Sequence, residues 1–408
     1  MRIAYISYEY PPDISAGGIA TYTFQVAKMM TERGHDVEVF CGSYERTICE
    51  VYENVLTHRI KITDAYDFRK KIVEKFKQRH EYIKFDLFES PEINGNGYEI
   101  KNTIRDIPMV VKIHMPAVLQ IRLFNYYTPL HNKLRFTISS YIKKKKIDLG
   151  LWSKHDKNQK NDIDYLITDE AQLITAPSQA MKNWAVNFWR IPENRISVIP
   201  NLYIPNTNYL KISVETGFNR VLFIGKLNVH KGLVKLTEAI PKVLRKHPEI
   251  KFSFIASDGP SHIKGITMKN YMLKKLERFN DNIEFIGSVP LNEISEHLSV
   301  SDFCVFPSLW ECFGLVVCES MAAARSPIVS NNGGMLEIIE EGKTGISINP
   351  QNSNDIAKKI IYLIENKEIR EKMGFNARKS ILEKFNAEKI GKLTEEIYLS
   401  AISAKKTN

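Results

Sequence analysis

Two carboxylates, Glu311 and Glu319, stand eight positions apart in the run Pro307-Ser308-Leu309-Trp310-Glu311-Cys312-Phe313-Gly314-Leu315-Val316-Val317-Cys318-Glu319. The apolar segment Phe303-Cys304-Val305-Phe306 precedes them, and Gly314 separates them. The pattern predicts a strand, a short loop, a glycine and a helix. The start of such a helix offers free backbone N–H groups and a positive dipole end, which suit a phosphate. At a rise of about 1.5 Å per residue, Glu319 falls about 7–8 Å beyond Gly314. One carboxylate can then hold hydroxyls on one side of a phosphate and the other can hold hydroxyls on the far side. Ribose, diphosphate and sugar have that layout. The same spacing also fits a plain strand–turn–helix with two solvated glutamates, so the companion residues decide.

A second cluster follows the run Val221-Leu222-Phe223-Ile224-Gly225. Lys226 and Lys231 lie five apart, with His230 and Gly232 flanking Lys231. Two cations across a strand-to-helix turn can neutralise a diphosphate and the charge that grows on it as it leaves. Near the start of the chain, Gly17 and Gly18 precede an amphipathic stretch, and a paired glycine lets backbone N–H groups approach a phosphate or sugar. The spacing is not GxGxxG, so the dinucleotide fingerprint is absent. His114 ends the apolar run Val110-Val111-Lys112-Ile113. A lone histidine is usually structural, but one at the carboxyl end of a strand can also point into a binding crevice.

Taken together, these segments resemble the retaining glycosyltransferases of family 4, which have the GT-B fold: two Rossmann-like doubly wound parallel-sheet domains facing a central cleft. Glu311 and Glu319 match that family's Glu-x7-Glu motif. The resemblance implies that Glu311 faces the donor sugar and Glu319 binds the ribose. It also implies that Lys226, Lys231, Gly225, Phe313, Gly314 and Leu315 hold the diphosphate. Gly17 and Gly18 would close over the sugar, and His114 would contact its hydroxyls. The strand and turn Ile283-Glu284-Phe285-Ile286-Gly287-Ser288-Val289-Pro290 match the segment that holds the nucleobase, around Val289. Ala256-Ser257-Asp258-Gly259-Pro260 resembles a Gly-x-Gly-Pro turn of the family, altered at Ser257 and Asp258. Lys226 stands where the family usually has arginine, which keeps the charge and loses the planar fork. Glu89 or Glu92 would line the acceptor side. The implied partners are a nucleotide-diphosphate-sugar donor and a glycan or lipid-linked acceptor. No cofactor and no metal are expected. Asp162-Ile163-Asp164 is the one spacing that suggests the metal motif of another transferase class.

The elements that must position these residues follow from hydrophobic patterning. Ile3–Ser7, Val37–Cys41, Val110–His114 and Leu173–Ala176 read as strands, with a helix from about Ile19 to Arg33. Val221–Gly225, Phe252–Ala256, Ile283–Ile286, Phe303–Phe306 and Ile328–Ser330 read as a second set with helices between them. Alternation of this kind means parallel sheets covered by helices. The division expected is 1–200 for a first domain on the acceptor side and 201–386 for a second on the donor side. A tail, 387–408, would return to the first domain by resemblance.

The chain has 408 residues with 57 Lys+Arg against 47 Asp+Glu. The excess is concentrated at Arg69, Lys70, Lys71, Lys75, Lys77, Arg79 and Lys84, and at Lys133, Arg135 and Lys143 to Lys146. Such patches attract an anionic membrane surface, or merely solvate a helix face. No nucleic-acid motif interleaves aromatics with them, so no nucleic acid is expected. No run of eighteen apolar residues suggests a membrane span. The five cysteines are odd in number and lack CxxC spacing, as reduced cytoplasmic thiols would be. Two other readings stay open. One is a GT-B epimerase acting on a nucleotide-sugar; the other is a non-catalytic nucleotide-sugar-binding or membrane-scaffold protein.

Overall fold

The computed structural model describes residues 1–14, 17–128, 130–144, 161–290 and 293–406. By contacts the chain divides into two units. The first comprises Met1–Ala117, Lys157–Ile204 and Phe385–Asn408, and the second comprises Val118–Asp156 and Pro205–Lys384. Residues 118–156 therefore count with the second unit, although they fall inside the span 1–200 expected for the first. Part of the reason is packing: Leu123, Phe124 and Tyr127 lie against the core of the second unit.

Among the described residues the first unit holds eight strands: β1 Arg2–Ser7, β2 Asp36–Ser43, β3 Ile48–Tyr52, β4 Val55–Lys61, β5 Leu87–Pro91, β6 Met109–Lys112, β7 Leu173–Ala176 and β8 Ile196–Val198. They lie in the order β3-β4-β2-β1-β5-β6-β7-β8. Every pairing is parallel except the edge pair β3–β4. β1, β5 and β6 are buried along nearly their whole length, as strands covered on both faces must be. The helix Gly18–Glu32 buries Tyr22, Val26, Met29 and Met30 against this sheet.

The last helix, Ala387–Lys406, belongs to the first unit and packs on Gly18–Glu32, β5 and β6. Arg33 clamps it by donating to Glu395 and Glu388 at 2.8–2.9 Å, and the Tyr398 hydroxyl lies 3.0 Å from that of Tyr5. The packing is close at Gly391, where an added Cβ would fall 2.6 Å from Arg33.

Among the described residues the second unit holds six strands, all parallel: β9 Arg220–Ile224, β10 Lys251–Ile255, β11 Ile283–Gly287, β12 Phe303–Phe306, β13 Ser326–Ser330 and β14 Ile346–Ile348. Their order is β11-β10-β9-β12-β13-β14. The helix Leu233–Leu244 buries Leu233, Leu236, Ile240 and Val243, a 3.6-residue stripe against the sheet. Each such side chain contributes about 1.5–3 kcal/mol by leaving water.

In both sheets the order of the parallel strands reverses, between β1 and β5 and between β9 and β12. Open α/β sheets bind ligands beyond the carboxyl ends of the strands at that reversal. The candidate residues sit there: Gly17, Gly18 and the segment 89–92 in the first unit, Lys226, Lys231 and Glu311 in the second.

Candidate functional site

The second unit brings together two loops from neighbouring strands. After β9, Gly225 takes φ +150°, and the backbone N–H of Leu227 donates to Ser257 O at 2.8 Å. The Asn228 side chain then accepts from Lys231 N at 3.2 Å and closes a single 3₁₀ turn, Val229–Lys231. Gly232 follows with φ +73°, and an added Cβ would lie 1.6 Å from the carbonyl oxygen of Pro307. Only glycine lets this turn meet the loop after β12 so closely. The contact is fixed by Leu309 N donating to His230 O at 2.7 Å. Gly232→Ala should therefore cost about 1–3 kcal/mol from the strained φ, and more for the clash. A urea midpoint unchanged from wild type would refute that close approach.

This juncture places the Lys231 ammonium on the Glu311 carboxylate, and Ser308 Oγ donates to the same oxygen at 3.3 Å. Glu311 is buried, which by itself would raise its pKa, but the Lys231 charge overrides burial and holds it below the usual carboxylate range. His230, beside them, is pushed down to about 4 by burial and by Lys231, so it is a neutral imidazole at pH 7. Lys226 is exposed at the mouth of the same turn.

Beyond Glu311 the chain enters the helix Leu315–Ala322. Gly314 takes φ +116°, and no side chain caps the helix start. Glu311 is held in register with the next strand's loop through Gly334 N, which donates to Glu311 O at 2.7 Å, and an added Cβ on Gly333 would fall 2.3 Å from that same oxygen. Glu319 lies inside the helix, and burial alone pushes its carboxyl up to about 7. Two carboxyls eight residues apart therefore differ in charge at neutral pH: Glu311 is ionised and paired, while Glu319 titrates near 7. Phe313 is buried beside Gly314, and Val289 is half-buried after β11. Around the 258–267 turn the unit also holds a cavity of about 1010 Å³. Phe124, Pro260, Ile263 and Ile266 line it, with Arg135 and Lys264.

The first unit carries His114, Gly17 and Gly18. β6 ends at Lys112, two residues before His114, so the histidine stands in the loop beyond the strand and not at its last position. It is buried, with its backbone N donating to Glu92 Oε2 at 2.8 Å and its ring 5.0 Å edge-to-face from Tyr22. Burial and the neighbouring Lys112 push it down to about 3, so it is neutral, and its Nε2 atom is buried with no hydrogen-bond partner. Glu92 is pushed up to about 8 by burial and then by Asp164, and its Oε1 likewise lacks a partner. Gly17 takes φ +122° at the uncapped start of Gly18–Glu32, whereas an added Cβ on Gly18 would meet nothing within 4 Å. The conformation thus requires glycine at 17 but not at 18.

Glu89, expected on the acceptor side, is tied up inside the first unit. Tyr22 donates to its Oε1 at 2.9 Å and Tyr398 to its Oε2 at 2.8 Å, joining β5 to two helices. The aspartates of Asp162-Ile163-Asp164 are spent on the backbone as well. Asp162 caps the helix Ile163–Glu170, and Asp164 accepts from Asn94 N at 2.9 Å and Ala117 N at 2.8 Å. Among the described residues no three His, Cys, Asp or Glu side chains gather as metal ligands. None of the five cysteines is in a disulfide, and three of them are buried. Sequence reasoning passed over Asn228, His230 and Ser308 as parts of the site; the Lys-Gly pair after His230 was the only signal near them.

Two family profiles match. The one described as Glycosyltransferase Family 4 covers residues 16–203, and the one described as Glycosyl transferases group 1 covers residues 208–380. An uncharacterized glycosyltransferase of Methanocaldococcus jannaschii is 25% identical over 422 residues, covering 98% of this chain and 99% of that protein. Among solved structures, the sucrose-phosphate synthase of Thermosynechococcus elongatus is similar with a TM-score of 0.72 and 18% identity, over 99% of this chain and 100% of that one. The Anabaena protein Alr3699/HepE in complex with UDP-glucose is similar with a TM-score of 0.67 and 16% identity, over 98% of this chain and 100% of that one.

Proposed function

The chain belongs to the family 4 type glycosyltransferases of GT-B fold, and from that premise we propose that it transfers a sugar, with retention at the anomeric carbon, from a nucleotide-diphosphate-sugar to an acceptor hydroxyl. The observation that carries this reading is the pairing of Lys231 with Glu311 beside the uncapped start of Leu315–Ala322. It supplies one cation and one helix N-terminus for a diphosphate, with a carboxylate alongside for a sugar. A solved relative carries UDP-glucose, which fits a donor of this kind.

In this reading the diphosphate binds the helix start at Phe313, Gly314 and Leu315, with Lys226 and Lys231 neutralising it and Gly225 leaving room for it. Lys231 then exchanges part of its hold on Glu311 for the phosphate oxygens. Glu311 positions the sugar hydroxyls, Glu319 accepts from the ribose hydroxyls, and the backbone near Val289 holds the base. His114 Nε2, neutral and without a partner, accepts or donates one hydrogen bond to the sugar, and Gly17 and Gly18 offer backbone N–H groups. Transfer is a front-face displacement: the acceptor oxygen bonds to the anomeric carbon as the C–O bond to the diphosphate breaks, and the departing phosphate takes the acceptor proton. The chain's part is electrostatic and positional, with no side-chain nucleophile.

The acceptor we favour is a glycan or lipid-linked hydroxyl of surface polysaccharide or glycolipid synthesis, reached at the cytoplasmic face of an anionic membrane. Among the described residues no helix is long and apolar enough to cross a membrane. The test is a screen of nucleotide-sugars by thermal shift followed by product analysis. A donor at 100 times its Kd should add about 2.7 kcal/mol of stability. No stabilisation by any nucleoside diphosphate or its sugar would defeat the reading.

Two further outcomes follow. Transfer should survive excess EDTA, because lysines and a helix start serve the diphosphate here; complete loss restored by Mg²⁺ or Mn²⁺ would contradict this. Nucleoside diphosphate affinity should also depend on pH through Glu319. Below its value of about 7 the carboxyl is protonated and must lose that proton before it can accept two ribose hydroxyls. Affinity should therefore rise roughly tenfold from pH 6 to pH 8, as the ionised fraction rises, with ligand titration subtracted through Glu319→Gln. Parallel pH curves for wild type and variant would remove Glu319 from the ribose.

A further inference from the structure

The helix Leu130–Lys144 in the second unit is amphipathic in an unusual sense: its apolar side faces out. Leu130 is 64% exposed, Leu134 48%, Ile138 59%, Tyr141 58% and Ile142 72%. At about 100° per residue these five positions fall within an arc of roughly 120°. Ser140, on the opposite side, is buried. Ile121 and Tyr126, just before this helix, are exposed too. Large apolar side chains gathered on one exposed face mark a surface meant to be covered.

Charge says what covers it. Residues 130–144 contain Lys133, Arg135, Lys143 and Lys144 and no aspartate or glutamate. A helix with an apolar arc, basic residues outside that arc and no acid suits the interface of an anionic bilayer, its apolar side among the acyl chains. The other basic stretch differs. The helix Ala65–Ile83 turns Phe68, Ile72 and Phe76 inward. Three of its six Lys and Arg side chains are drawn into ion pairs, Lys71 with Asp67, Arg79 with Glu38 and Arg69 with Glu99.

We propose that Leu130–Lys144 is the membrane-docking element of this protein and that its occupant is an anionic lipid surface. Arg135 and Ser139 of the same helix line the 1010 Å³ cavity, so docking would set one wall of that cavity at the lipid surface. The proposal sharpens the membrane partner suggested above and rests on that reading only for the acceptor's nature. Lipid binding and donor binding are read separately, so each can fail alone.

The experiment is co-sedimentation with phosphatidylglycerol-containing and pure phosphatidylcholine vesicles at low salt and at about 1 M salt, where charges are screened beyond about 3 Å. Wild type should bind the anionic vesicles at low salt and keep a measurable part of that binding at high salt, because apolar insertion is not screened. Leu134→Glu with Ile138→Glu should weaken binding at least tenfold at both salts. Lys70→Gln, Lys71→Gln and Lys75→Gln together should leave it within about twofold. A cooperative thermal melt without ligand checks that each variant is folded, and Leu134→Ser with Ile138→Ser replaces the glutamate pair if that pair fails the check. Three results would overturn the proposal: wild type ignoring anionic vesicles at low salt, the paired variants binding as well as wild type, or a wild-type dimer on size exclusion that these variants split. The last would make a second copy of the chain the occupant.

Discussion

Lys231→Ala is expected to lower kcat and kcat/KM together, by about tenfold to a thousandfold, the loss seen when one electrostatic donor is removed from a developing charge. The ammonium meets Glu311 in the structure and sits at the carboxyl end of β9, where the strand order reverses. Its interaction with a diphosphate strengthens as the sugar–oxygen bond breaks, so the loss belongs in the chemical step. The same change leaves Glu311 buried without its counter-ion. Burial is then opposed only by His230 and the Ser308 hydroxyl, and the carboxyl should rise from its present low range. Two signatures separate this from general damage. The acidic limb of the pH–rate profile should move to higher pH, because Glu311 then holds its proton longer. Stability at neutral pH should fall by about 1–3 kcal/mol, the cost of a buried polar group left without its partner. A folded Lys231→Ala variant with wild-type kcat would place Lys231 away from the leaving group.

Parts of this site were legible before any coordinates, and the reason is local. Strand, glycine and helix start are neighbours in sequence, so Phe303–Phe306, Gly314 and Leu315–Ala322 could be placed from pattern alone. The alternation that predicted two parallel sheets was likewise a property of short windows. What could not be read was set by distant partners. Lys231 and Glu311 are 80 positions apart, and nothing near either one announces that they touch. Glu89 looked like a cleft carboxylate, but the tyrosines that hold it come from 67 residues before and 309 after. β3 escaped notice because it lies at the sheet edge, where Val51 is 71% exposed and the burial that marks most other strands is missing. The arc on Leu130–Lys144 was invisible for a different reason. A 3.6-residue apolar stripe usually means a face turned to the core, and only exposure reveals that this one is turned away.

Glu311→Gln and Glu319→Gln should part company, although both replace a carboxyl of the same motif by an amide. Glu311 precedes the helix start, is ionised and is bound by Lys231. Its neutral amide would release Lys231 and offer a donor where the sugar needs an acceptor. Transfer should fall by roughly a hundredfold in kcat, in the range for one misplaced electrostatic group, while affinity for the free nucleoside diphosphate changes little or rises as Lys231 becomes available to the phosphates. Glu319 lies about one and a half turns inside the helix, and its carboxyl titrates near 7. Its replacement should weaken the nucleoside diphosphate about tenfold, the worth of one good hydrogen bond to a charged group, and should appear mainly in KM. The partial burial that lifts Glu319 also makes the amide easier to accommodate, so Glu319→Gln should fold at least as well as wild type at pH 8, where the native carboxylate is ionised in a half-buried place. Calorimetric titration with the nucleoside diphosphate, beside initial rates of transfer, reads both effects. If the two variants lose equal affinity for the free nucleotide, the carboxylates share one role and the division between sugar and ribose is wrong.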